Sequence, residues 1–351
     1  MNKDTFRNSK ILVVGGAGFV GSNLVLKLLD EDPEEVLVVD NLLSSEACNV
    51  PVASNVRFLC GSITDDAVLH ALPKDLDYAF HLACYHGNQS SIANPMEDHE
   101  NNTLTSLKLF ECLSETSNLR KIVYAAAGCA VAEKTFEDAV ATHEDAPVSL
   151  FHDSPYSISK LIGEMYGNYF HRARGLPFVK ARFQNVYGPR EILGAGRWRG
   201  TPHTVWRNVT PTFVWKALDH LALPLENEGL SSRDFIFVED MARGLMSCAL
   251  AGVPSETYNL ASGIETSIAE LAALINKATN NPTLPKLFPA RDWDRSGKRF
   301  GSTQKAKLDL GFSAEIEIFK GIELLVDWTK KNREHIKSCM DRHAPFLPEF
   351  T

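Results

Sequence analysis

Tyr156 and Lys160 are the first residues whose types and spacing suggest chemistry. They stand four apart in Ser154-Pro155-Tyr156-Ser157-Ile158-Ser159-Lys160. Pro155 suits the first turn of a helix. On a helix, the i, i+4 spacing puts phenol and ammonium on one face. A cation beside a phenol favours the phenolate, which can take a proton from an alcohol near neutral pH. A surface Tyr and Lys often share this spacing, so other residues must decide. His81, Cys84 and His86 lie close together, but no fourth metal ligand is evident, and no metal is expected. His86 could instead trade protons or hold a carboxylate. Cys129 could serve as an acid or base, although free cysteines are more often small buried hydrophobes. Arg197, Trp198 and Arg199 could wall a pocket that accepts an acidic group, such as a uronate; the plain alternative is a solvated basic loop.

The glycines of Lys10–Ser22 decide the matter. Ile11–Val14 is a short apolar run that reads as a buried strand. Gly15, Gly18 and Gly21 follow, and Ser22–Asp30 reads as a helix with Leu24, Leu28 and Leu29 inward. Strand, glycine turn and helix form the context of a dinucleotide site. Gly15 allows the tight turn, Gly18 lets pyrophosphate approach, and Gly21 lets helix pack on strand. The phosphates sit at the helix N-terminus, where free N–H groups and the dipole favour anions, with Phe19 and Val20 beside them. A second strand, Glu35–Val39, ends in Asp40, which is placed to accept bonds from the adenosine ribose hydroxyls. Downstream of this pattern, Tyr156 and Lys160 read as catalytic.

The bulk properties bound the partners. The chain has 351 residues, enough for two lobes, with 44% hydrophobic and 23% charged residues. A net charge of −8 disfavours general nucleic-acid binding. Seven cysteines without close pairing suggest reduced thiols and a cytoplasmic setting. No run reaches membrane-spanning length, and residues 1–10 carry no signal-peptide core.

Short apolar runs alternate with helical patterns through the first half. The runs are Val36–Val39, Val56–Leu59, Tyr78–Ala83, Lys121–Ala126 and Val179–Phe183; Glu97–Glu115 and Pro155–Arg174 read as long helices. Asn101-Asn102 inside the first helix reads as an exposed pair. This predicts an α/β fold: a doubly wound parallel-sheet Rossmann domain with a smaller C-terminal substrate domain. The first should span 1–188 plus about 235–260, with Phe235–Val238 as a strand returning to the sheet. The second should span 189–234 and 261–351, with helices at Ile268–Ala278 and Gly321–Lys330. Residues 189–208 read as a long functional loop.

The ordered motifs resemble the extended short-chain dehydrogenase/reductases of the NAD-dependent nucleotide-sugar epimerase/dehydratase family. They are Gly15–Gly21, Asp40-Asn41, Gly61-Ser62-Ile63, His81-Leu82-Ala83, Asn94-Pro95, Asn102, Tyr156/Lys160 and Arg182–Arg190. Asn208-Val209, Arg233-Asp234-Phe235, Val238-Glu239-Asp240, Tyr258-Asn259-Leu260 and Arg291 with Asp294 follow. Residues 85–91 and 194–202 are most similar to the WbmF-type O-antigen sugar-nucleotide enzymes. The resemblance implies that NAD is held by Gly15, Gly18, Phe19, Val20, Gly21, Asp40, Asn41, Ser62, Ile63, Leu82, Ala83, Tyr156, Lys160 and Gln184. It implies a nucleoside-diphosphate sugar, with UDP as the expected nucleotide, against His86, Asn185, Arg197, Asn208, Val209, Arg233 and Arg291. It also implies a homodimer paired through Glu97–Glu115 and Pro155–Arg174, with Leu104, Leu107, Ile158 and Ile162 as apolar contributors.

One departure bears on the reaction. The family places Ser or Thr after the fourth strand, where its hydroxyl bonds the sugar hydroxyl being oxidised. Here Ala127 or Gly128 stands there. The acid pair of the dehydratase relatives becomes Cys129 and Ala130. By exclusion the expected activity is epimerisation, and the resemblance implies that it acts at C4 through a transient keto-sugar in bacterial surface-polysaccharide synthesis. The rivals are a dehydratase that eliminates with Cys129 or His86, and a catalytically silent NAD- or sugar-nucleotide-binding protein. Asp40 generates a direct prediction: its carboxylate repels a 2′-phosphate, so calorimetry should show much tighter binding of NAD than of NADP. Equal affinities would contradict the role given to Asp40.

Overall fold

The computed structural model describes residues 5–131, 135, 137–290 and 297–347. The strands, in chain order, are β1 (Lys10–Val14), β2 (Glu35–Asp40), β3 (Val56–Cys60), β4 (Tyr78–His81), β5 (Lys121–Ala127) and β6 (Phe178–Phe183). They continue with β7 (Asn185–Tyr187), β8 (Pro224–Glu226), β9 (Ser232–Phe237), β10 (Thr257–Leu260), β11 (Glu265–Ser267) and β12 (Lys286–Phe288). Seven of them form one parallel sheet in the order β10-β6-β5-β4-β1-β2-β3. The chain reverses direction of travel across this sheet between β1 and β4. In such sheets ligands bind at that switch point, beyond the carboxyl ends of the strands.

Alternate residues of the strands face opposite layers. Ile11 and Val13 pack with Leu24, Val25 and Leu28 of helix Phe19–Leu29 and with Met241, Leu245 and Cys248 of helix Val238–Ala251. Leu12 and Val14 pack on the other face with Leu109, Phe110 and Leu113 of helix Thr105–Leu113 and with Phe170 of helix Pro155–Arg174. Helix Pro155–Arg174 comes close to the sheet because Gly163 and Gly167 face Tyr124 and Phe178; a Cβ at either would overlap the facing ring. Its N-terminus carries Pro155 behind a Ser154 cap whose Oγ accepts from Ser157 N.

Two expectations are corrected. Phe235–Val238 does not return to the parallel sheet. Ser232–Phe237 pairs instead with β7 and β11 in a separate three-stranded sheet, and Val238 begins a helix. The strand that returns is β10, beside β6; Tyr258 and Asn259 interrupt its apolar pattern and hide it. Asn101-Asn102 is not an exposed pair either. Residues Pro95–Asp98, His99–Leu104 and Thr105–Leu113 run on as one helical stretch with a π segment in the middle. That segment turns Asn102 inward, where it is 2% exposed.

A third cluster joins Tyr187, Phe213, Phe235, Phe237, Leu271, Ile275, Ile322 and Leu325 below the cleft. A fourth joins Ile192, Leu193 and Val205 of the long loop to Ile336 and Met340 of helix Arg333–Asp341. Among the described residues, no helix is long and apolar enough to cross a membrane.

Candidate active site

A cleft of about 690 Å³ opens at the carboxyl ends of β1, β2, β4 and β5. One wall is the glycine turn. Gly15 has φ +86°, and a Cβ there would lie 2.5 Å from Ala83 N. Such a backbone conformation favours glycine. A Cβ on Gly21 would overlap Gly15 O, so helix Phe19–Leu29 can meet the turn only at glycine. Gly18 caps that helix without any side-chain bond, leaving its first amides to an anion. Leu82 N and Ala83 N both donate to Val14 O, at 2.8 and 2.9 Å, which turns the β4 loop into the cleft.

Asp40 ends β2 and is 9% exposed. Its Oδ2 accepts from Ala17 N at 3.0 Å; its Oδ1 accepts from Leu42 N and Ser45 Oγ, both at 2.9 Å. Burial pushes its carboxyl above the usual range, against the pull of these bonds. Asn41, Ser62 and Ile63 continue this wall. The residues fit a dinucleotide: a glycine cradle, an uncapped helix end and a carboxylate one strand away.

Tyr156 and Lys160 meet the cleft from helix Pro155–Arg174. Lys160 is 3% exposed; its Nζ donates to Ala125 O at 2.9 Å and lies 5.9 Å from the Tyr156 ring centroid. The His86 ring meets Tyr156 edge-on at 5.8 Å. Burial, followed by the charges of Arg199, Arg207 and Lys160, pushes His86 down to about 3. His86 is therefore neutral at physiological pH and cannot hold a carboxylate as a cation. His81 is likewise pushed down to about 3, by burial first, and its Nε2 lies 3.0 Å from Ser106 Oγ. Among the described residues, no group of three or more His, Cys, Asp or Glu is placed to hold a metal.

Asn102 braces these parts. Its Oδ1 accepts from Tyr85 N at 2.7 Å, and its Nδ2 donates to Asp98 Oδ2 at 2.7 Å and to Ser159 Oγ at 3.1 Å. The loop carrying His86 and the helix carrying Lys160 are thus tied through one amide. Ala125, Ala126 and Ala127 line the cleft where the resemblance would put a hydroxyl. Cys129 falls in the turn Gly128–Ala130, but its side chain lies outside the described residues, as does Arg291.

On the far side, Gln184, Asn185, Asn208, Val209 and Arg233 all line the cleft. Asn208 donates to Glu191 Oε1 instead of capping helix Val209–Leu218, so that helix points uncapped amides at the cleft. Arg233 is 9% exposed and donates to Ser232 O and Gly297 O, both at 2.6 Å.

Arg197 is corrected. It is exposed and lies outside the main cleft, in a shallow hollow beside Trp198 and Arg342. The left-handed Gly196 and Gly200, at φ +79° and +84°, redirect the chain there. Arg199 enters the cleft instead, at 3% exposure. It donates to His86 O at 2.9 Å and to His203 O at 3.3 Å, while its Nε has no partner. Glu191 was not foreseen: it follows Arg190 directly, and nothing in its neighbours' types announces burial. It is 4% exposed with Oε2 unpartnered, and burial pushes it up to about 7.

The sequence profile of the NAD dependent epimerase/dehydratase family matches residues 11–261. The crystal structure of the Bordetella bronchiseptica enzyme WbmF in complex with NAD+ and UDP superposes with a TM-score of 0.88, 55% identity and 98% coverage of both chains. A putative UDP-glucose 4-epimerase of Methanocaldococcus jannaschii is 29% identical over 92% of this chain and 99% of its own. A dTDP-glucose 4,6-dehydratase of an Actinoplanes species is 28% identical over 92% of this chain and 98% of its own.

Glu191 generates a pH prediction. Its folded value, about 7, lies above the ordinary 4.5, so the folded chain binds the extra proton. The stability it contributes is fully present below the unfolded value and is lost as pH rises through the folded one. Glu191→Gln keeps an acceptor for Asn208 and cannot ionise. Urea denaturation should show the variant gaining on the parent between about pH 5 and about pH 8. A stability difference that stays constant with pH would contradict the burial argument.

Proposed function

This chain belongs to the NAD-dependent epimerase/dehydratase family and is an NAD-dependent nucleotide-sugar epimerase; from that premise we propose that it inverts C4 of a UDP-sugar through a transient keto-sugar. The observation that carries the reading is Tyr156, with the buried Lys160 ammonium beside it, facing the same cleft as the glycine turn. NAD bound there supplies the hydride acceptor for oxidation and the hydride for return. Tyr156 Oη takes the proton of the sugar hydroxyl and later gives it back. Lys160 stabilises the phenolate that stands ready before the proton is taken and is restored once it has been given back. The uncapped start of helix Val209–Leu218 and the Arg233 guanidinium hold the diphosphate. Leu82 and Ala83 line the nicotinamide side, and Asn185 and Asn208 face the substrate.

Arg199 refines the substrate. A buried guanidinium bonded to carbonyls in the cleft, with Nε unpartnered, suits an acidic sugar substituent such as a carboxylate. A sugar of that kind fits bacterial surface-polysaccharide synthesis, in line with the resemblance of residues 194–202 to O-antigen enzymes. The neutral His86 does not support elimination, since a histidine of such low basicity is a poor base and is not charged as an acid.

The chain also forms a homodimer in this reading. Helix Pro155–Arg174 exposes Ile158, Met165 and Tyr169 on one face. Leu104, Leu107 and Ile162 are half-buried nearby. Light scattering at micromolar concentration should give twice the chain mass; a monomer alone would contradict the pairing. For the reaction, the chain is incubated with UDP-, GDP-, CDP- and dTDP-sugars, uronates included, and products are read by NMR. A C4 epimer of unchanged mass, formed from a UDP-sugar, is expected. A product that has lost water would establish the dehydratase instead.

A further inference from the structure

The segment 333–347 lines no part of the main cleft, yet it grips the loop that flanks Asp40. That loop, residues 41–49, touches the cofactor side at several points. Ser45 Oγ donates to Asp40, and Asn49 Nδ2 donates to Ala17 O in the glycine turn at 3.2 Å. Its outer side meets Arg342. Arg342 Nη1 donates to Glu46 Oε1 at 2.8 Å, and Nη2 donates to Glu46 Oε2 at 3.3 Å. Glu46 Oε1 also accepts from Gly196 N at 2.8 Å, so one carboxylate joins three stretches of chain. Two further contacts flank this joint. His335 Nε2 lies 3.6 Å from Cys48 Sγ, and His343 Nε2 lies 3.0 Å from Gly194 O. Phe346 stacks on Trp198 with centroids 4.9 Å apart and an interplanar angle of 14°.

We propose that the segment 333–347 is a strap that sets how long NAD stays bound, and that Arg342 is its positioning residue. NAD can leave only if loop 41–49 moves off the adenosine ribose beside Asp40. That movement must break the Arg342–Glu46 fork and the Glu46–Gly196 bond together. A single exposed ion pair is worth little, and the Arg342 side chain is 48% exposed. This pair differs in being forked, in sharing its carboxylate with a backbone amide, and in having a partner side chain only 18% exposed. An enzyme that returns its hydride each cycle has no need to release the cofactor, so a strap costs it no turnover.

The test uses the full chain loaded with NADH. Release is followed by the fall of NADH fluorescence after mixing with excess NAD. Arg342→Ala and Glu46→Gln should each speed release by about tenfold, the scale of one charge-assisted hydrogen bond. The double variant should be no faster than Glu46→Gln alone, because the Arg342–Glu46 fork is the link the two substitutions share. Exchanging the pair, Glu46→Arg with Arg342→Glu, should slow release back toward the parent. Release at the parental rate in either folded single variant overturns the strap, as does a double variant whose effect is the product of the two. Should Arg342→Ala fail to fold, Glu46→Gln carries the test, since it removes a charge without changing volume. A parent chain that holds no NADH would overturn the cofactor site and the strap together.

Discussion

Lys160 buries an ammonium at 3% exposure, and the arrangement around it answers that charge. A charge held away from water is costly unless partners replace the lost solvent. Ala125 O in β5 is one partner, and the Tyr124 ring, 5.2 Å from Nζ, is another. The field of Lys160 then shapes its neighbours. It adds to the burial that keeps His81 and His86 neutral, and it pulls on the Asp98 carboxyl behind Asn102. With both histidines uncharged, the phenol of Tyr156 is the group placed to exchange a proton beside a cation.

Such a charge can serve only if its helix is fixed relative to the sheet. Gly163 and Gly167 allow the close approach, and the Asn102 amide locks the result. A buried amide anchored by Asp98 on its own helical stretch bonds Tyr85 and Ser159, tying together the β4 loop and helix Pro155–Arg174, which are distant in sequence. The π segment His99–Leu104 is what turns Asn102 into that position. Departures of this kind within helices often accompany functional sites.

These facts explain which parts were legible in the sequence. Parallel strands buried on both faces give continuous apolar runs, so β1, β2, β4 and β5 were readable. The glycine turn and the Tyr156/Lys160 pair were readable because their geometry is local. Asn102 was not, since a polar pair in a helix reads as exposed until a π segment rotates one member inward. The exchange of Arg197 for Arg199 turns on two left-handed glycines in a loop with no periodicity. Glu191 gave no signal because its burial comes from distant segments. The strand Ser232–Phe237 read as part of the main sheet because apolar composition reports burial, not partner.

The measurement that tests the account most directly is turnover of Tyr156→Phe with the sugar nucleotide the parent accepts. The substitution removes one oxygen and leaves the ring that packs against His86. NAD and sugar nucleotide should therefore bind with parental affinity, while turnover should fall by about 10²–10⁴, the range for a lost general acid/base. Turnover at the parental rate would contradict the assignment of proton transfer to Tyr156 and, with it, the role given to the buried Lys160.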